Sequence, residues 1–263
     1  MSAIIVEGGL VHYEALGRGR PLLFLHDWLG SWRYWVPTMV DMASSHRTYG
    51  FDFWGFGDSD KAPARYDLES YTRQIELFLQ QMGVRQVSLM IGHGLGAVIA
   101  LRYAQMHPQE VVQVMAVSLP LSPRHMGRTL SSFTGNGSPA RTILGRRILA
   151  YEEVELEADK TDPRAVVQTV RSMTELDAVR ILQRLTVPVL LVYGLEDPVI
   201  RPPGNEVLEQ LDYHVHLLRL QGVHHYPMLD VSPEFNRLIR DFLLHGDNWD
   251  RIELKDEWKR RMR

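Results

Sequence analysis

An apolar run that leads through a glycine-rich turn into a row of small residues constrains this chain more than any other stretch. The run ends at Ile91, the turn is Gly-His-Gly-Leu-Gly at residues 92–96, and the small residues follow from Ala97. This order predicts a buried strand that turns sharply into a helix. A turn of the G-x-S-x-G type lifts its central side chain above the carboxyl end of a parallel sheet, where ligand sites lie.

The centre of this turn is Gly94, with Gly92 and Gly96 at the two outer glycine positions. The central position of the motif carries a nucleophile, but glycine has no hydroxyl, thiol or carboxylate, so no covalent intermediate can form on its side chain. Glycine also avoids backbone strain of order 1–3 kcal/mol that a residue with a β-carbon would bear there. We therefore predict that Gly94 is a vacant nucleophile position.

Composition excludes several classes of function. With 263 residues, of which 45% are hydrophobic, the chain can bury one large core. A formal charge of −3 gives no electrostatic argument for nucleic acid or an anionic membrane as a partner. The absence of cysteine excludes disulfides, thiol catalysis and thiolate metal sites. Because neither a signal-peptide pattern nor an apolar run of about 18 residues is present, we expect a cytoplasmic protein without a membrane partner.

The alternation of strand and helix patterns up to residue 119 predicts an α/β fold with a mostly parallel, doubly wound sheet. Residues 120–186 lose the strand rhythm, and their patterns predict helical pieces at 140–158, 163–173 and 175–185, the second with Asp162 as N-cap and Pro163 in its first position. These pieces predict either a cap over the site or a helical layer without a gating role. We expect a core of residues 1–119 and 187–246, a helical cap at 120–186 and a C-terminal helical extension at 247–263.

Over about residues 4–245 the chain resembles proteins of the α/β-hydrolase fold, of the single-domain type with a helical cap. The segments that carry the resemblance follow the family's order. They are His26-Asp27-Trp28 as the oxyanion loop, residues 52–59 as the return loop, residues 92–96 as the nucleophile elbow, residues 194–199 as the acid loop and residues 222–227 as the histidine loop. One glycine motif alone would be a weak signal, but several in register are a strong signal for the fold.

The resemblance implies roles for residues in these loops. Asp197 matches the acid and His225 the base of a catalytic triad, in which the carboxylate orients the imidazole and stabilises its charged form. The backbone N–H groups of Leu95 and Trp28 match the two oxyanion donors. The resemblance implies no cofactor and no metal. A conventional esterase with a serine nucleophile is not expected, because Gly94 replaces the serine.

Four further residues are predicted to line the pocket over Gly94: His26, Asp27, His93 and His224. We interpret His93 as structural, while His224 either crowds the site or faces solvent. Asp27 stands where the family usually has glycine. If its carboxylate points into the pocket, it opposes a developing oxyanion, and if it points away, it caps a turn.

Three hypotheses follow for the function. In the first, His225, oriented by Asp197, acts as general base in non-covalent hydrolysis of a small, largely apolar molecule. In the second, the protein is an inactive pseudo-hydrolase that binds a small ligand or a protein partner. In the third, Asp27 or Ser31 is a displaced nucleophile, which the spacing along the chain disfavours.

A metal site built from Asp27, His224 and His225 is disfavoured, because adjacent histidines rarely point the same way. In the C-terminal extension, Leu254, Trp258 and Met262 share one helical face. This face favours a helix that docks on its own domain, with a homodimer through the cap or this extension as the alternative.

Overall fold

The computed structural model describes residues 2–246 and residue 248. Eight strands form one sheet in the order β1-β2-β4-β3-β5-β6-β7-β8. The pairs β1–β2 and β2–β4 are antiparallel and all other neighbours are parallel, which confirms the predicted α/β fold. The strands are β1 Ser2–Val6, β2 Gly9–Gly17, β3 Arg20–Leu25, β4 His46–Phe51, β5 Leu89–His93, β6 Val114–Val117, β7 Val189–Gly194 and β8 Val215–Leu220.

Helices cover the sheet and fill the connections between strands. The α-helices are α1 Val36–Met42, α2 Leu68–Gln81, α3 Leu95–Met106, α4 Arg128–Ser131, α5 Pro139–Leu144, α6 Glu152–Glu155, α7 Pro163–Ser172, α8 Ala178–Leu182, α9 Asn205–Leu208, α10 Pro227–Asp230 and α11 Ser232–His245. Short 3₁₀ helices lie at Trp32–Trp35, Pro63–Arg65, Pro123–His125, Gly145–Ala150 and Met173–Glu175. In the described residues, no helix has both the length and the apolar character that a membrane crossing requires.

The central strands β5, β6 and β7 are apolar, apart from His93 at the end of β5, because helices cover both faces of the sheet. Every residue of β5, β6 and β7 is buried. On the flank, α2 begins where the Asp67 carboxylate accepts the Ser70 N–H at 2.8 Å, and it buries one face that includes Tyr71, Ile75 and Phe78. The strands thus bring their carboxyl ends to one edge, where the loops with the predicted site residues begin.

The segment between β6 and β7 is helical, as predicted, but more broken than its sequence suggested. The apolar pattern over residues 140–158 predicted one helical piece, whereas the structure has α5, a 3₁₀ turn and α6. The break falls at Gly145, whose φ of +57° cannot continue an α-helix. At α7 the prediction was right, because Asp162 caps the helix and Pro163 occupies its first turn.

Contacts between side chains fasten this helical segment to the loops above the sheet. The Trp28 indole N–H donates to Thr169 Oγ1 at 2.9 Å, and the Tyr66 hydroxyl donates to Asp162 at 2.9 Å. A four-residue charge cluster adds a second attachment: Arg33, Asp58, Glu157 and Lys160 are joined by ion pairs of 3.0–3.2 Å. The two predicted alternatives, a cap over the site and a helical layer without a gating role, both stay predictions.

The predicted C-terminal extension, residues 247–263, lies outside the described residues apart from Asn248. Its helical face and the homodimer that it suggested stay predictions.

Candidate active site

The elbow has the predicted order of strand, turn and helix. β5 ends at His93, α3 begins at Leu95, and Gly94 between them has φ +49° and ψ −107°. This backbone conformation favours glycine. Gly96 is needed for a different reason: a β-carbon there would lie 2.5 Å from the carbonyl oxygen of Leu25, so the start of the helix could not approach β3 so closely.

The Asp27 carboxylate points into the site, which settles the direction that the sequence left open. Its Oδ1 accepts the backbone N–H of Leu95 at 3.1 Å, and its Oδ2 lies 2.9 Å from Nε2 of His225. Asp27 is fully buried. The residue that the family pattern makes a glycine therefore places a charged group over the centre of the elbow.

Asp27 and Gly94 are sterically coupled. A β-carbon at residue 94 would lie 2.5 Å from the Asp27 carboxyl carbon and would overlap Oδ1, whereas real β-carbons do not approach other atoms within 3.0 Å. Serine at position 94 and the observed Asp27 side chain thus exclude each other. Asp27 and Gly94 thus share one place in the structure, where a carboxylate oxygen from the oxyanion loop lies in the position at which an elbow side chain would begin.

Both predicted oxyanion donors face this carboxylate. Leu95 donates its N–H to Oδ1, and the Trp28 amide also stabilises the ionised carboxyl group. Burial alone would raise the pKa of Asp27, but the hydrogen bond and charge of His225, with the electrostatic effect of His93 and the Trp28 amide, leave that pKa below its usual range. While Asp27 keeps this position, a substrate oxygen cannot use the same donors.

Asp197 holds the other side of the His225 ring, as the resemblance implied. Asp197 Oδ2 lies 2.9 Å from His225 Nδ1 and also accepts the Ser118 hydroxyl at 2.8 Å. Its Oδ1 accepts the backbone N–H groups of Val199 at 2.7 Å and Ile200 at 3.0 Å. Although burial raises the pKa of Asp197, the charge of His225 and these donors lower it below its usual range.

The imidazole of His225 therefore lies between two buried carboxylates. Burial alone lowers its pKa, but Asp197 and Asp27 outweigh burial and raise the pKa of His225 to about 10. The ring is an imidazolium at neutral pH and donates a hydrogen bond from each nitrogen. Because a general base must be neutral, the resting geometry does not support the first hypothesis, in which His225 directly activates water.

Comparisons with known proteins agree with this arrangement of strands and loops. A family model described as alpha/beta hydrolase fold matches residues 20–142. The RutD protein of Stutzerimonas stutzeri, a carbamate hydrolase by name, is 24% identical over 256 residues, which cover 89% of this chain and 96% of that protein. Bifunctional epoxide hydrolase 2 of Mus musculus is 23% identical over 83% of this chain, which spans 39% of that protein. A hydrolase structure from Pseudomonas aeruginosa matches with a TM-score of 0.79 and 17% identity, covering 92% of this chain and 97% of the other. The chain has the α/β-hydrolase fold.

Two of the predicted pocket histidines serve other purposes in this α/β-hydrolase fold. His26 is buried behind the site, where its Nε2 accepts the Phe53 N–H at 3.0 Å and its Nδ1 donates to the Asp27 carbonyl oxygen at 2.7 Å. It joins the oxyanion loop to the return loop. The prediction that His224 lines the pocket was wrong: its side chain is 42% exposed and lies 3.5 Å from Glu196 and 3.6 Å from Asp230.

His93 is buried at the site, and a tyrosine that the sequence analysis did not single out accompanies it. The Tyr34 hydroxyl accepts the Asp27 backbone N–H at 2.7 Å and lies 3.1 Å from His93 Nδ1. The His93 and His225 ring centroids are 4.4 Å apart. Tyr34 lies in the aromatic stretch that follows the oxyanion loop, and that density of rings was the signal that could have found it.

Among the described residues, two groups bring atoms that could bind a metal within 4.8 Å of one another: Asp27 with His93 and His225, and His12 with Asp52 and Asp58. In the first group the carboxylate and both nitrogens of His225 are engaged in the salt bridges. In the second, Trp32 donates to His12, and Asp58 pairs with Arg33 and Lys160. The grouping of Asp27, His224 and His225, which the sequence disfavoured, does not form in the described residues, because His224 lies against Glu196 and Asp230.

Ser31 does not reach the site either. Its Oγ accepts the Arg33 N–H at 3.2 Å and caps the 3₁₀ helix Trp32–Trp35. Of the two displaced nucleophiles in the third hypothesis, only Asp27 lies at the elbow.

Proposed function

We propose that this protein is a hydrolase in which the Asp27 carboxylate attacks the substrate in place of an elbow residue. The observation that carries the proposal is the position of Asp27: Oδ1 lies over Gly94 on the Leu95 N–H, and Oδ2 lies 2.9 Å from His225 Nε2. A carboxylate is a competent nucleophile, and His225 with Asp197 can supply the base for the second half of such a reaction once esterification of Asp27 lets the ring become neutral.

The occupied oxyanion donors favour one class of substrate. Attack on a carbonyl carbon places negative charge on a substrate oxygen, which needs free N–H donors. Here Leu95 and Trp28 already face Asp27. Displacement at a saturated carbon creates no oxyanion at that carbon, so the donors can hold Asp27 Oδ1 throughout. The substrate class is therefore an alkyl electrophile, such as an epoxide or a haloalkane.

In the first step Asp27 Oδ2 forms a bond to the substrate carbon, and the leaving group departs with its electron pair. The proton on His225 Nε2 passes to the leaving group or to solvent. The product of this step is an alkyl ester of Asp27. Esterification removes one of the two negative charges that raise the pKa of His225, so the ring can now stay neutral.

In the second step neutral His225 takes a proton from water, and the resulting hydroxide attacks the carboxyl carbon of the Asp27 ester. The electron pair moves to Oδ1, where the amides of Leu95 and Trp28 stabilise the oxyanion. Collapse of this intermediate expels the alkoxide, which takes the proton from His225. The acid proton left on the Asp27 carboxyl group then passes to His225 and restores the resting ion pair. Asp197 holds the ring in the required orientation.

The names of the relatives agree with hydrolysis but do not choose the substrate. RutD is by name a carbamate hydrolase and the mouse protein by name an epoxide hydrolase. The former acts on a carbonyl compound and the latter on a saturated carbon. The choice between these classes rests on the geometry of Asp27.

The test is one turnover in H₂¹⁸O with enzyme in excess over styrene oxide, 1-bromobutane or p-nitrophenyl acetate. We expect turnover of styrene oxide or 1-bromobutane. The alcohol oxygen gained in this single turnover should be ordinary ¹⁶O from Asp27, and the ¹⁸O from water should be found in the peptide that contains Asp27. Asp27→Asn, which keeps the shape but not the nucleophile, is the control and should be inactive. A first product that carries ¹⁸O would overturn the covalent mechanism and support direct activation of water.

A second candidate is the inactive pseudo-hydrolase that binds a small ligand or a protein partner. The observation that favours it is the complete burial of the ion-paired Asp27 and His225. If the unmodified protein turns over neither class of substrate, while Asp27→Asn binds the same epoxide as tightly, this second function replaces the first.

A further inference from the structure

The hydroxyl of Tyr34 bonds to the backbone of the proposed nucleophile. Its oxygen accepts the Asp27 N–H at 2.7 Å and lies 3.1 Å from His93 Nδ1. Because the Asp27 N–H can only donate, the tyrosine oxygen accepts there and its own proton is directed to His93. This chain of two hydrogen bonds runs from the Asp27 backbone to the ring that packs on His225.

His93 must be neutral, with a lone pair on Nδ1, to accept this proton. Burial and then the positive charge of His225 lower the pKa of His93 to about 3, so the ring is neutral at neutral pH. The proton of the ring is then on Nε2, because Nδ1 accepts from Tyr34.

Aromatic packing fixes where the hydroxyl of Tyr34 lies. Its ring meets the edges of His93 and Tyr226, with centroid distances of 5.7 and 5.3 Å, and it packs on Trp35 at 5.3 Å. Tyr34 is 1% exposed and His93 is fully buried. Because the hydroxyl is fixed, the hydrogen bond from the Asp27 N–H fixes the orientation of the Asp27 backbone. The Asp27 carboxylate extends from that backbone over Gly94.

The geometry points to Tyr34 and His93 as a positioning pair that aims the Asp27 carboxylate at the Leu95 amide and at His225. This inference rests on the proposed function for its effect on catalysis. The structural part of the inference, that the pair places the Asp27 carboxylate, does not depend on the proposed function. Neither residue touches the reacting carbon, and neither exchanges a proton with substrate.

The primary variant is Tyr34→Phe, which keeps the ring and removes the oxygen. We expect the rate of ester formation on Asp27 to fall about 10- to 100-fold, because a misplaced nucleophile loses near-attack geometry, while KM stays within about twofold. His93→Leu should act in the same direction, and adding it to Tyr34→Phe should cost little more because the two residues act as one unit. His93→Asn, whose amide oxygen can accept the tyrosine proton, should restore most of the rate.

A second measurement keeps the inference testable without any reaction. Among the described residues, the titratable groups that face His225 are Asp27, Asp197, His93 and Tyr226. The NMR titration of His225 and the shift of its Nε2 proton therefore report on the distance to Asp27. We expect Tyr34→Phe to lower the titration midpoint of His225 by about one pH unit or more, because Asp27 moves away. Tyr71→Phe, which removes a buried hydroxyl that donates to Trp54 instead, is the matched control and should leave His225 unchanged.

These readouts separate the two ways of failing. If no substrate turns over but Tyr34→Phe still shifts the His225 signals as expected, the proposed function is wrong and the positioning pair stands. If Tyr34→Phe lowers only the unfolding temperature, as Tyr71→Phe does, and leaves both the His225 titration and ester formation unchanged, the positioning pair is overturned.

Discussion

The half of the site that comes from the loops after β7 and β8 follows the α/β-hydrolase pattern more closely than the half that comes from the loops after β3 and β5. Asp197 and His225, from the loops after β7 and β8, pair at 2.9 Å as a triad acid and base do. In the loops after β3 and β5, Asp27 stands where the pattern has glycine, and Gly94 stands where the pattern has a nucleophilic side chain. The pairing of acid and histidine therefore matches the pattern, whereas the side chain that meets the other nitrogen of His225 comes from the oxyanion loop and not from the elbow.

Reversing the exchange should have the largest effect. Asp27→Gly with Gly94→Ser frees the Leu95 amide and restores a hydroxyl beside His225, whose pKa falls once Asp27 is gone. We expect this double variant to hydrolyse p-nitrophenyl acetate about 10²- to 10⁴-fold faster than the unmodified protein. Gly94→Ser alone, which overlaps Asp27, should be destabilised by about 1–3 kcal/mol and gain no esterase activity. Equal esterase rates in the single and double variants would show that the two positions are not coupled.

The second-largest effect is expected when the cation between the two halves of the site is removed. His225→Ala leaves Asp27 and Asp197 buried without a positive partner. We expect a loss of about 3–5 kcal/mol in the free energy of unfolding, measured with urea. His224→Ala, next in the chain but half exposed, is the matched control and should change stability by less than about 0.5 kcal/mol. A similar loss in both variants would contradict the buried ion triad.

The pH dependence of stability sharpens the same point. Because the pKa of His225 rises from 6.5 in the unfolded chain to about 10 in the fold, its contribution is full below pH 6.5, declines above it and is gone above about pH 10. The lowered pKa values of Asp27 and Asp197 act in the opposite sense, and their contributions are lost as the pH falls below 3.8. Urea unfolding between pH 6 and pH 10.5 should show the decline, and Asp27→Asn should flatten it. A profile that is level in both proteins would mean that His225 is not held as an imidazolium.

The smallest effect is expected at the charge cluster that fastens the helical segment to the loops. Glu157→Gln keeps the shape of the residue that pairs with Arg33 and Lys160. Individual ion pairs of this kind are worth about 0.2–1 kcal/mol. If the cluster restricts access to the site, weakening it should raise kcat/KM by less than about fivefold and should make kcat/KM less dependent on salt. Arg141→Gln, in the outward-facing pairs with Glu155 and Asp159, is the control. Identical behaviour of the two variants would show that the cluster does not control access to the site.

The fold followed from the sequence because its signals are local. Continuous apolar runs such as β5 and β7 predict strands that are covered on both faces, and the structure buries both completely. The break at Gly145 was missed because the helical periodicity of its neighbours outweighed one glycine.

The site was predictable in part. The motif loops indicated Asp197, His225 and Leu95, and the structure brings them to one edge of the sheet. The direction of Asp27 was not predictable, because its partners lie 68 and 198 positions away along the chain. Tyr34 was not predicted for a different reason: its hydroxyl bonds to a backbone N–H, and no side-chain motif reveals such a bond.

The most direct measurement of the central claim is the trapping of an ester on Asp27. His225→Gln cannot activate water, so in 1-bromobutane the ester should accumulate, and peptide mass spectrometry of the folded protein should locate one butyl group on Asp27. The double variant Asp27→Asn with His225→Gln should stay unlabelled. A butyl group on any other residue, or none on protein shown to be folded by circular dichroism, would contradict the claim that the carboxylate of the oxyanion loop has taken the place of the elbow nucleophile.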